Sequence, residues 1–208
     1  MRYQVDKDEK FLAKNPHHIF NLNVLITHLA ISKVALELGG GNPFYFLMVP
    51  GISLLVIAYL YFHGQKVQTR GSWFVSAHWM LAWRRGRNLM ISYAVAVVVL
   101  VLATLLGDVF GSGLMMNDFS ESGSSTSIIQ KIGMFFAGVV VFFTVLYNFL
   151  QTGISVYDAG KGIIDKKIER FLPRDAQANA EIGEGDQPTS ADADPAHDKA
   201  QSDSGQAS

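Results

Sequence analysis

Three runs of about twenty residues contain no formally charged side chain: residues 44–63 (FYFLMVPGISLLVIAYLYFH), 89–107 (LMISYAVAVVVLVLATLLG) and 132–152 (IGMFFAGVVVFFTVLYNFLQT). At 1.5 Å of rise per residue, each makes a helix that covers the roughly 30 Å hydrocarbon core of a bilayer. A soluble domain has no use for three such helices, because a helix packed on one face needs polar residues on the other. Only 17% of the chain is charged, against roughly 25% in an ordinary globular domain. The fold class that follows is an all-α integral membrane protein.

A fourth segment, residues 19–38 (IFNLNVLITHLAISKVALEL), is less apolar and contains His28, Lys33 and Glu37. Asn15–Pro16 reads as an N-cap followed by proline at the first helical position, and GGGNP at 39–43 reads as a stop. Basic residues decide whether it spans. They gather as Arg2, Lys7, Lys10 and Lys14; as Lys66, Arg70, Arg84, Arg85 and Arg87; and as Lys161, Lys166, Lys167, Arg170 and Arg174. The 39–43 turn and the 108–127 loop contain none. If 19–38 spans, all three groups fall on one side of the membrane, as the positive-inside rule requires. Four transmembrane helices with both termini cytoplasmic is therefore the expectation. The alternative is three spans behind an amphipathic N-terminal helix lying on the surface.

This reading divides the chain into a cytoplasmic N-terminal segment (1–18), a helical hairpin (19–63), a cytoplasmic segment (64–88), a second pair of helices around a Gly/Ser-rich outer loop (89–157), a juxtamembrane amphipathic helix (158–174) and an acidic tail (175–208). SWFVSAHWMLAWRR at 72–85 holds all three tryptophans and ends in arginine, the composition of an interfacial helix. In 158–174, Ile164, Ile168, Phe171 and Leu172 recur at helical spacing among basic residues. The tail has eight acidic residues against one lysine and almost no large apolar side chains, so disorder is expected there. No cysteine is present, which excludes disulfides and thiolate metal sites. The first 18 residues lack the apolar core of a signal peptide.

Candidate site residues are few. On an ideal wheel, Asn21, His28 and Ser32 share one face of the first helix, with Lys33 and Glu37 paired at i,i+4 elsewhere. These intramembrane polar groups form either an ion pathway or hydrogen-bonding glue between helices, and glue is the expectation. Arg84, Arg85 and Arg87 suit a topogenic anchor that also attracts anionic lipid. Gly133, Ala137 and Gly138 would let another helix approach closely. Tyr147, Asn148, Gln151, Thr152 and Ser155 make the following turns polar, for packing or to line a cavity.

His17, His18, His63 and His78 fall near the cytoplasmic rim, where His63 could approach His18. Without a second histidine at the depth of His28, neither a metal nor a haem is expected. GSG and SGSS runs lie in a loop, outside the strand–turn–helix context of a nucleophile elbow. The basic groups flank spans instead of forming a stripe, which argues against nucleic acid.

The function expected is therefore non-enzymatic: an accessory or scaffold subunit of a larger cytoplasmic-membrane assembly, with no cofactor. Its partners would be membrane lipids and other membrane subunits, or further copies of itself. The alternatives are a small transporter or channel subunit, and a haem- or quinone-linked redox subunit.

Overall fold

The computed structural model describes residues 1–39, 45, 47–110, 115–117, 125–174 and 181–182. Four helices in it are long and apolar enough to cross a membrane. The first begins as α1, Lys7–Leu25, widens into a π-helical turn at Ile26–Ile31, and continues as α2, Ser32–Gly39. Next come α3 (Met48–Gln68), α4 (Trp73–Phe110) and α5 (Ile128–Gly160). The short strands β2 (Met115–Asn117) and β3 (Ser125–Ser127) pair antiparallel between α4 and α5. β1 (Arg2–Tyr3) pairs antiparallel with β4 (Glu181–Ile182).

The first helix starts earlier than the Asn15–Pro16 pair suggests. Asp6 is its N-cap, accepting from Glu9 N at 2.6 Å, while the Glu9 carboxylate accepts from Asp6 N at 3.3 Å. This reciprocal capping box satisfies two of the amides that a helix start leaves unpaired. Pro16 lies inside α1 and is buried. It removes one backbone donor without ending the helix.

α4 packs against α5, α1 and α3, and α1 also lies along α5. At 38 residues α4 is about 57 Å long, far more than the hydrocarbon core requires. The surplus forms a compact base. Here Tyr3, Ala13, Trp73, Phe74, Ala77, Ala159, Ile164 and Ile168 make one buried cluster. A second cluster, including Phe20, Val24, Ile57, Leu60, Trp79 and Leu89, continues up between α1, α3 and α4. Tyr3 N donates to Gly162 O at 2.8 Å and Ile164 N to Met1 O at 3.0 Å, so the N-terminal residues lie on the segment after α5. The two ends of the bundle's chain thus meet at one end of the bundle.

The base corrects several expectations. The Trp-rich segment is not a separate helix lying on a surface. It is the start of α4, and residues 73–79 are all buried because the N-terminal segment and residues 161–172 enclose them. Trp73 donates to Leu172 O at 3.1 Å. Nor do residues 158–174 form an amphipathic helix. α5 ends at Gly160, and a 3-10 turn at Lys166–Arg170, capped by Asp165, holds Ile168 inward. In the acidic tail, Glu181 and Ile182 are ordered as a strand on β1. The rest of the expected disordered tail, most of the Gly/Ser-rich loop and most of the GGGNP turn lie outside the described residues.

Candidate functional site

Polar side chains meet between helices at two levels. In the upper level, Asn23 Nδ2 donates to Ser53 Oγ of α3 at 3.0 Å, and Thr27 Oγ1 donates to Asn23 Oδ1 at 3.0 Å. His28 Nε2 bonds to the Tyr93 hydroxyl of α4, with the two rings stacked. Asn21, His28 and Ser32, expected on one face, are each half-buried, with a π-helical turn at Ile26–Ile31 between the first and the last of them. Ser32 bonds back to the carbonyls of His28 and Leu29, and the Asn21 carbonyl oxygen is buried without a partner. Lys33 and Glu37 pair at 3.7 Å on the helix surface, with side chains 77% and 65% exposed.

The lower level lies at the start of the base. His17 of α1 and His78 of α4 are fully buried, edge to face, with His17 Nε2 and His78 Nδ1 at 2.9 Å. Arg85 Nη1 reaches His17 Nδ1 at 3.4 Å and Thr152 Oγ1 at 3.3 Å, and Nη2 donates to Ser155 Oγ at 2.7 Å. Arginine can only donate, so His17 Nδ1 is the acceptor and its Nε2 carries the proton. That proton is given to His78 Nδ1, which leaves the proton of neutral His78 on Nε2. This last N–H is left to the backbone of Ile163, and no side chain accepts it. One relay therefore runs from a guanidinium through two imidazoles to the backbone of Ile163.

The three arginines expected to act alike have different surroundings. Arg85 is only 8% exposed and its hydrogen bonds go to neutral groups. Arg84 lies over the Phe171 ring at 3.7 Å, and Arg87 is exposed. Arg85 is thus a core residue as well as a positive charge. Beside it is a cavity of about 420 Å³ between α4, α5 and the segment after α5. Four cations (Arg84, Arg85, Lys167, Arg170) and two carboxylates (Asp158, Asp165) line it, together with His78, Asn88, Tyr147 and Gln151.

The expected packing residues also separate. Gly133 is buried where a side chain would overlap Ala103 of α4, and Ala137 is buried one turn on. Gly138 has no atom within 4 Å of where its Cβ would be, so it takes no part in the packing of this bundle. Sequence reasoning did not name Gly86, which packs tightly on Ile57 of α3.

It also missed the His17–His78 pair. His63 stacks instead on Trp79, and His18 is exposed. A signal was present: Ala13, His17, Phe20, Val24 and Thr27 fall at alternating spacings of four and three, the buried face of a helix that must begin before residue 13. The Asp6-x-x-Glu9 capping signature marks that beginning. His17 and His78 bond directly to one another, so their facing nitrogens are engaged. Among the described residues no group of three or more His, Asp or Glu side chains is placed to hold a metal.

The fold and site define a helical chain with four potential membrane spans and a polar base. Comparison with protein-family models, curated proteins and solved structures finds no match for it.

Proposed function

We propose that the chain is a non-enzymatic multi-pass protein of the cytoplasmic (inner) membrane, with both termini cytoplasmic, serving as an accessory or scaffold subunit of a larger membrane assembly. The observation that carries this reading is where the polar groups inside the bundle go. Asn23, Thr27, Ser53, His28 and Tyr93 bond to one another across helices, which is the use of polar side chains that holds membrane helices together. On the outer side of α5, Gly138 and Gly153 have no neighbours, so a further helix could approach closely there. The orientation is supported by the meeting of Met1 and Ile164 at the base, where the basic groups gather.

The test is gentle solubilisation of native membranes followed by native electrophoresis and mass spectrometry. The expected result is a particle much larger than one chain, containing other integral membrane proteins, that loses this chain when Gly138 is changed to Leu. Migration of the wild type as a lone chain, with ion flux in proteoliposomes, would overturn the reading in favour of a transporter. Reporter fusions at Met1 and Ser208 test the orientation, since activity of a periplasmic reporter at either end contradicts it.

A further inference from the structure

We infer that the cavity at the base binds a phosphate-bearing anion, supplied either as the headgroup of an anionic phospholipid or as a soluble phosphoester. The inference is independent of the subunit role and starts from charge. Arg84, Arg85, Lys167 and Arg170 line the cavity, and among the described residues none of them forms an ion pair with a carboxylate. Asp158 and Asp165 balance only half of that charge, and the Asp165 side chain is engaged as the cap of the 3-10 turn, accepting from Lys167 N at 2.9 Å. Arg85 is the critical case. A buried guanidinium is costly unless a counter-charge compensates it, yet its hydrogen bonds go only to His17, Thr152 and Ser155. Asp158 acts on Arg85 only from a distance, without forming an ion pair, and an anion in the adjoining space adds to that counter-charge.

Two further observations favour an anion and a phosphate in particular. The relay from Arg85 through His17 ends at the Nε2–H of His78, a fully buried side chain that lines the same cavity and whose N–H has only the Ile163 backbone beside it. With Asn88 and Gln151 also in the wall, guanidinium, ammonium, imidazole and amide donors line the space, and arginine forks match phosphate oxygens well. The volume of about 420 Å³ is that of a small-molecule site.

Position brings a lipid within reach. Asn88 directly precedes the uncharged run of α4, and Gln151 lies at the end of the uncharged run of α5. The cavity therefore lies where the two helices leave the apolar layer, the level at which headgroup phosphates are found. Tyr147, Ile154 and Phe171 are 58%, 54% and 48% exposed around it, an apolar rim along which acyl chains could lie.

The full chain in a neutral detergent is titrated with phosphatidylglycerol, phosphatidylcholine and glycerol 3-phosphate, with binding read by native mass spectrometry and by the shift in melting temperature. The test variant is Lys167→Gln/Arg170→Gln, two exposed side chains of the cavity wall. The control is Lys66→Gln/Arg87→Gln, which removes equal charge from exposed sites outside the wall. The expected result is that phosphatidylglycerol binds and phosphatidylcholine does not. The test variant should bind about tenfold or more weakly, as loss of charge-assisted hydrogen bonds implies, and the control should match the wild type. If glycerol 3-phosphate binds as well as phosphatidylglycerol, with the same dependence on the variants, the source is a soluble phosphoester. If it does not bind, the source is lipid. Arg84→Gln repeats the comparison should the double variant melt early. Equal binding of the two lipids, equal loss in test and control variants, or no binding of any probe would overturn the proposal.

Discussion

Gly133→Ala is a sharp test of how α4 and α5 meet. The added methyl would overlap the Cβ of Ala103. Ala103 has no rotamer with which to withdraw, so the two helix backbones must shift. Overpacking of this kind costs about 1–3 kcal/mol, and a rigid partner places the site at the upper end of that range. Replacing glycine by alanine within a helix returns up to about 1 kcal/mol through propensity. The net expectation is a loss of about 2 kcal/mol. Gly138→Ala on the same helix has no neighbour to meet and keeps only the gain, so the two variants should differ by about 3 kcal/mol.

The double variant Gly133→Ala/Ala103→Gly exchanges the small residue across the interface, restoring the space and cancelling the propensity terms. It should return to within about 1 kcal/mol of the wild type. Unfolding in mixed micelles with increasing dodecyl sulfate, followed by the fluorescence of buried Trp73 and Trp79, measures all four proteins on one scale. Equal stability of Gly133→Ala and Gly138→Ala, or no recovery in the double variant, would refute the close approach of α4 and α5 at this point.

Three further outcomes are expected. Asn148 is fully buried and neither its amide nitrogen nor its oxygen has a hydrogen-bond partner. Asn148→Leu should therefore raise stability in the same assay by about 1–3 kcal/mol, and a fall would mean that a bound group satisfies it. For the surface pair, Lys33→Met or Glu37→Gln alone should lower stability by up to about 1 kcal/mol, and the double change by less than either single one. Identical melting of all four proteins would show that no pairing energy exists. Truncation after Arg174 removes β4 from β1 but leaves the bonds of Met1 and Tyr3 to residues 162 and 164. Membrane abundance should stay near normal, and a collapse would show that the short strand pair is essential.

What could be read in the sequence follows from the range of the forces involved. Spans are set by transfer of contiguous residues from water to hydrocarbon, so the uncharged runs at 44–63, 89–107 and 132–152 were legible without any tertiary knowledge. That the first helix could be a fourth span is argued in the sequence only by the distribution of basic residues, and the structure shows a helix long and apolar enough to cross. Its start lies at the Asp6–Glu9 capping box, a weaker local signal than Pro16, which the helix tolerates in its interior. A wheel at 100° per residue has no place for the π-helical turn at 26–31, so the partners of His28 and Ser32 are not legible from it. The base was legible only as the buried face of α1 that holds His17. Its partners His78, Arg85 and Ser155 come from two other helices, and no local pattern joins residues that far apart.

The Arg84–Arg85–Gly86–Arg87 stretch shows why charge counting, which bears on topology, does not define a site. All three arginines contribute equally to a positive-inside count, because that count depends on which side of the bilayer a charge occupies. Successive helix positions differ by 100° in direction, however, so neighbours in sequence meet different surroundings. Gly86 packs on Ile57 and so fixes the rotation of α4 about its axis. With that rotation set, Arg85 points between α1 and α5 at His17 and Ser155, Arg84 lies on Phe171 at the cavity wall, and Arg87 stays exposed. A larger residue at 86 would displace or turn α4 and move all three side chains together. The packing of one glycine against α3 therefore governs both the buried relay and the cationic cavity beside it.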